Sequence, residues 1–278
     1  MRSSLYLSFV ALGIALSGCT QPSNEWRTKY DTIGEAKRVM ELTTATCDTA
    51  TNCHPSVGSF LVRDASDVYA CTTFFASPQM ILTNKHCIPN NAQEKGSRFE
   101  HALIKLPAAQ GFVPEIIPVT EVLDISKFSV ADERIVQDWA LLKLATPSRR
   151  AAIKISQSGA ADGQTFSIYK FNPEQSRLRT SQELVKCIAA QAGQLLVDIA
   201  DRKSPLLAMM NCKVVQGNSG SPILDSEGSA RGIVSIRYTP RAKFGGLQAV
   251  HGIGTNFACV DMQLLGLHIT DQESCRHL

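Results

Sequence analysis

Met80-Ile81-Leu82-Thr83-Asn84-Lys85-His86-Cys87 opens as a short β-type run and stops at three polar residues and a cysteine. A run of this length, rich in branched apolar residues and closed by polar ones, reads as a strand rather than a helix. The same texture extends on both sides of it. Ser59 to Val62 and Val68 to Ala76 precede it; Ala102 to Leu106, Ile116 to Val122 and Ala140 to Leu144 follow. Closely spaced short strands divided by turn residues predict an all-β barrel or sandwich. Pro147-Ser148-Arg149-Arg150 then interrupts the pattern. A second series begins beyond it with Thr165 to Phe171, Leu184 to Ile188, Leu195 to Ile199, Ser221 to Leu224, Gly232 to Tyr238 and Gly254 to Val260. The reading is of two similar β halves, 46–150 and 151–278, joined at a hinge. Residues 19–45 form a polar tether, with a short helix expected around Glu35 to Leu42.

Three local patterns carry chemistry. His86 ends the run quoted above. Asp138 stands directly before the apolar Trp139-Ala140-Leu141-Leu142-Lys143-Leu144, which favours it over Asp132. Ser219 lies in Gly217-Asn218-Ser219-Gly220-Ser221-Pro222, with Gly232-Ile233-Val234-Ser235 downstream. Each pattern alone has an ordinary structural explanation: a buried histidine, a capping aspartate, a glycine-rich loop. In the order His, Asp, Ser they describe a charge-stabilised base and a nucleophile. A serine hydroxyl at neutral pH is a weak nucleophile and needs a base within hydrogen-bond reach. The other histidines, His54, His101, His251, His268 and His277, have no such context.

From about Gly58 to Val260 the chain resembles the chymotrypsin-like serine proteases, and Cys212 with Gly217 to Pro222 resembles more narrowly their bacterial glutamyl-endopeptidase-like branch. The resemblance implies two six-stranded antiparallel β-barrels with the active site in the cleft between them. It implies His86 as general base, Asp138 as the group that orients it, and Ser219 as nucleophile. The N–H groups of Gly217 and Ser219 would form the oxyanion hole. Cys71–Cys87 and Cys187–Cys212 match disulfides of the family, whereas Cys47–Cys53 and Cys259–Cys275 are expected by elimination and nearness in sequence. The candidate substrate contacts are Lys213 near the pocket floor, Arg237 near its mouth, and Val234 and Ser235. Glu-specific relatives carry a histidine where this chain has Val234, and Lys213 and Arg237 also fit solvated loop charges. Trypsin-like enzymes place an aspartate directly before the nucleophile, to pair with an N-terminus freed by cleavage; Asn218 stands there instead.

The first eighteen residues read as a signal peptide, with Arg2, the apolar stretch Leu5 to Leu16 and small residues before Cys19. The Leu16-Ser17-Gly18-Cys19 junction resembles a bacterial lipobox, which implies a lipid on Cys19 and a place in the cell envelope, at the outer membrane in a Gram-negative cell. Setting Cys19 aside from the nine cysteines leaves an even number in an oxidising compartment, where disulfides are the default. No C-x-x-C pair is present, and neither metal nor cofactor is expected. A net charge of +3 without a dense basic run gives no reason to expect nucleic acid. A monomer acting on protein or peptide is the expectation. A catalytically silent binding module on the same scaffold is the alternative. An α/β esterase is disfavoured because its serine precedes its histidine in the chain.

Overall fold

The computed structural model describes residues 45–47, 53–64, 67–126, 138–158, 164–171, 182–190, 206–210, 212, 214–215, 217–238, 251–257, 260 and 269–270. The strands are β1 (Ala45–Cys47), β2 (Val57–Asp64), β3 (Asp67–Ser77), β4 (Met80–Thr83), β5 (Ala102–Leu106), β6 (Glu115–Ile125), β7 (Ala140–Leu144), β8 (Ile155–Ser156), β9 (Thr165–Phe171), β10 (Gln182–Ala190), β11 (Leu206–Met210), β12 (Pro222–Leu224), β13 (Ala230–Tyr238), β14 (His251–Asn256) and β15 (Ile269–Thr270).

Strands β2-β3-β4-β7-β6-β5 close an antiparallel barrel. A second ring runs β9-β10-β11-β14-β13-β12 and closes where β12 pairs back onto β9. Three short strands decorate it. β1 pairs with β10, although the sequence division puts its residues Thr46 and Cys47 with the first half. β8 runs parallel to β13, and β15 parallel to β8, so the second sheet is not wholly antiparallel. β11, an apolar run the sequence reading passed over, supplies the pairing between β10 and β14. β14 starts three residues earlier than the expected strand at Gly254. The expected strand at Leu195 to Ile199 and the helix at Glu35 to Leu42 lie outside the described residues.

Alternation along the strands sorts side chains into three cores. Phe75, Ile81, Leu142 and Leu144 point into the first barrel with Phe60, Ile104 and Val122. Their neighbours Phe74, Leu82 and Leu141 point the other way, against Phe171, Leu224, Ile233 and Phe257 of the second. Phe166, Ile168, Val185, Met209 and Ile223 fill the second ring. β3, β4 and β7 therefore bury both faces at the seam, and this is why they read as unbroken apolar runs. β5, with one wet face, keeps the period of two.

The hinge is more than a polar break. Arg150 is wholly buried, and its guanidinium donates to the Pro55 carbonyl at 2.8 Å and the Val113 carbonyl at 2.7 Å. Its charge faces Glu115 at 3.6 Å and the Phe112 ring at 5.4 Å. The crossover is thus tied down by a cation whose burial needs these partners.

Candidate active site

His86 enters the site because β4 ends at Thr83 and the chain turns through a short 3-10 turn, Lys85–Cys87. Cys87, the residue after His86, is bonded to Cys71 in β3, with their Cα atoms 6.1 Å apart. Asp138 stands two residues before β7, the strand paired with β4, where Thr83 faces Ala140. Sheet register therefore brings the two side chains together. His86 Nδ1 lies 2.6 Å from Asp138 Oδ2, and the His86 backbone N–H donates to Asp138 Oδ1 at 3.1 Å. An ionised carboxylate can only accept, so this contact keeps the proton on Nδ1 and leaves Nε2 as a base. Nε2 is 2.8 Å from Ser219 Oγ. Asp138 is fully buried, whereas about a third of the His86 side chain remains accessible.

The support around Asp138 was not foreseen from the sequence. Its backbone N–H donates to Thr255 Oγ1 at 3.0 Å. Its carbonyl accepts from Asn84 Nδ2 at 2.6 Å, and the same Nδ2 also donates to Ser235 Oγ at 3.0 Å. Asn84, two residues before His86, was in plain view as a polar residue ending an apolar run. Thr255 gave no signal, because a hydroxyl-bearing β-branched residue is ordinary in a strand.

Ser219 is carried by a loop with glycine on either side of the Asn218-Ser219 pair. Gly217 and Gly220 have φ of +90° and +86°, where side chains are strained. A Cβ on Gly220 would also stand 1.9 Å from the Thr72 carbonyl oxygen. Asn218 is buried; its Oδ1 accepts from the Val215 N–H at 2.6 Å and its Nδ2 donates to the Phe171 carbonyl at 2.8 Å. The N–H groups of Gly217 and Ser219 donate to no group among the described residues. Cys212, upstream of this loop, is bonded to Cys187 in β10, Cα to Cα 5.0 Å.

Those features are a base, its orienting carboxylate, a hydroxyl and two unengaged N–H groups at the seam of two barrels. The trypsin family model matches residues 46–252 of the sequence. The chain belongs to the trypsin family. Solved structures of serine proteases share its fold. A Glu endopeptidase in complex with MPD is 18% identical and matches 80% of this chain and 95% of its own, with a TM-score of 0.57. Neuropsin, a serine protease of mouse brain, is 14% identical over 77% of this chain and 94% of its own, at 0.54. The active form of a protease from M. tuberculosis is 15% identical over 80% and 86%, at 0.51. No curated protein matches in sequence.

The remaining expectations fare differently within this trypsin-family frame. Val234 is buried in the second core, and its backbone holds the Ser219 loop: its carbonyl accepts from the Gly220 N–H and its N–H donates to the Ser221 carbonyl, both at 2.9 Å. Ser235 is buried too, turned toward Asn84 and Thr255. Lys213, Cys19, Cys259, Cys275 and the side chains of Arg237 and Cys47 fall outside the described residues. Cys53 is half of a disulfide. Of the groups near His86, the sulfurs of Cys71 and Cys87 are consumed in their own bond and are not thiolate ligands.

Proposed function

We propose that this trypsin-family chain is a serine endopeptidase in which His86, Asp138 and Ser219 act as the catalytic triad. The observation that carries the reading is the continuous line of contacts from Asp138 through His86 to Ser219, at 2.6 and 2.8 Å. Nε2 takes the Ser219 proton as Oγ attacks the scissile carbonyl. The imidazolium so formed is held by Asp138 and returns the proton to the leaving amine. Water then repeats the sequence on the acyl-enzyme. The N–H groups of Gly217 and Ser219 stabilise the tetrahedral oxyanion, where loss of one donor costs roughly 10²–10³ in rate. Asn218, neutral and satisfied by Val215 and Phe171, supports a loop that needs no ion pair with a freed N-terminus.

The test is cleavage of a mixed peptide library by the exported, oxidised protein, with covalent labelling by a fluorophosphonate. Turnover and labelling that vanish together in Ser219→Ala support the reading. Intact activity in Ser219→Ala and His86→Ala overturns it, and a folded wild type silent in both assays points to a binding module. The same preparation tests the anchor we propose on Cys19: Cys19→Ala releases the protein to the soluble fraction, and an unmodified N-terminus by mass refutes it.

A further inference from the structure

We infer that Thr72, in the first barrel, is a positioning residue for the oxyanion hole of the second, an inference that rests on Ser219 being the nucleophile. Thr72 is fully buried and each of its polar groups is engaged. Its N–H donates to the Ser219 carbonyl at 2.7 Å. Its hydroxyl donates to the Gly217 carbonyl at 3.0 Å and accepts from the Phe171 N–H at 3.3 Å. Its own carbonyl accepts from Thr83 Oγ1 at 2.9 Å.

Peptide units are planar, so holding both ends of one fixes its plane. The Gly217–Asn218 unit has its carbonyl on the Thr72 hydroxyl and its N–H on the Val215 carbonyl at 3.1 Å. The Ser219–Gly220 unit has its carbonyl on the Thr72 N–H and its N–H on the Val234 carbonyl. Thr72 thus clamps alternate units of the loop. The unit before each clamped one carries the N–H group of Gly217 or of Ser219, and these have no protein partner among the described residues. Gly217 at φ +90° has no Cβ to resist rotation, so the unit following it is the one most in need of an external hold. The Thr72 hydroxyl provides that hold from across the seam, and without it the Gly217 N–H loses its fixed aim.

The experiment compares wild type with Thr72→Val, Thr72→Ala and Thr72→Ser as full-length, oxidised protein, each checked for folding by thermal melt. The readouts are kcat and KM on a cleaved peptide and the pH–rate profile. Without the hydroxyl, kcat falls about 10–100-fold, less than the loss of a donor outright, because the N–H is displaced rather than removed. KM stays within about twofold, as for an interaction made in the transition state. The acid limb, set by protonation of the base, does not move. Thr72→Ser restores kcat to within about threefold of wild type, since it keeps the hydroxyl. A folded Thr72→Val with wild-type kcat overturns the inference, and so does a serine variant as slow as valine. If neither hydroxyl-less variant folds, the hydroxyl is structural and the positioning role is likewise overturned. A wild type without turnover or Ser219 labelling instead removes the proposed protease reading, and this inference with it.

Discussion

The two barrels deliver their parts of the site by different means. His86 and Asp138 are 52 residues apart but sit at adjoining ends of paired strands, so the register of β4 on β7 decides their meeting. Ser219 has no such ladder beneath it. Its loop precedes the three-residue β12 and is shaped by two left-handed glycines, the Asn218 side chain and bonds from Thr72 across the seam. The pair His86 and Asp138, the proposed base and its partner, is thus built into a sheet, where geometry and stability are the same thing. Ser219, the proposed nucleophile, is stitched to a sheet that belongs to the other half, and there activity can be lost while the barrels stand.

The largest effects test that separation directly. Ser219→Ala and His86→Ala each lower kcat/KM by roughly 10⁴–10⁶, while unfolding free energy stays within about 0.5–1 kcal/mol of wild type. Asp138→Asn lowers kcat by about 10⁴ through the wrong tautomer, and it also destabilises. Both carboxylate oxygens accept from His86, one from the backbone N–H and one from Nδ1. An amide can still accept the backbone N–H but must donate to Nδ1 through its Nδ2, so a charge-assisted bond becomes a neutral one and about 1 kcal/mol is lost at a buried site. Turnover and urea unfolding on the same preparations distinguish the two outcomes. If Asp138→Asn proves as stable as Ser219→Ala, the base is not integral to the sheet in the way argued.

Gly220→Ala attacks the stitching. Its methyl would enter the Thr72 carbonyl at 1.9 Å in a backbone region that costs an L-residue further strain. We expect a loss of more than about 3 kcal/mol, since backbone must move on both sides of the seam. A thermal melt within a few degrees of wild type would mean that the barrels part there at little cost. Next come the disulfides. Cys71–Cys87 closes 16 residues and Cys187–Cys212 closes 25, so chain entropy gives each about 3 kcal/mol, with a difference of only about 0.4 kcal/mol. Paired serine substitutions followed by urea unfolding should give nearly equal losses. An unequal result would show that one bridge acts through the native state of its loop as well as through the unfolded chain.

What was legible in the sequence follows the same division. The strands of the first barrel show themselves because Phe74-Phe75, Ile81-Leu82 and Leu141-Leu142 are apolar on both faces, and the residues that turn away from them, His86 and Asp138, stand out against that background. β11 escaped notice because five apolar residues without alternation look like any buried segment. Arg150 read as hinge polarity, because nothing in Pro-Ser-Arg-Arg tells which cation will be enclosed by carbonyls from 37 and 95 residues away. Val234 and Ser235 were named as candidate substrate contacts; both side chains are buried, beside the register shift in β13, a placement that no residue type in Gly232-Ile233-Val234-Ser235 announces. Thr72 was invisible for a physical reason: the partners of its hydroxyl and its N–H are backbone carbonyls and an N–H, which carry no sequence identity at all.

The smallest predicted effect concerns the seam itself, at His54. Its backbone N–H donates to Gln182 Oε1 at 2.9 Å, its carbonyl accepts from Gln182 Nε2 at 3.0 Å, and its ring meets Tyr169 edge-on at 5.2 Å. Nδ1 accepts from the Ser56 N–H at 3.2 Å, a bond available only while that nitrogen is unprotonated. Burial lowers the pKa from 6.5 to about 4. The native imidazole therefore stays neutral between those values while the unfolded chain takes up a proton. With the unfolded state binding more protons, unfolding free energy falls as pH drops, by up to about 1.4 kcal/mol per unit. Between pH 7 and pH 5 that amounts to about 2 kcal/mol. His54→Asn keeps an acceptor near the Nδ1 position but does not titrate. Urea midpoints at pH 7 and pH 5 should move further in wild type than in His54→Asn by that amount, whereas the acid limb of turnover, which belongs to His86, should be the same in both. Equal shifts in the two proteins would place the acid sensitivity of the seam elsewhere; a displaced acid limb would mean that the seam and the base are coupled, and the division between sheet-built and stitched parts of the site would have to be redrawn.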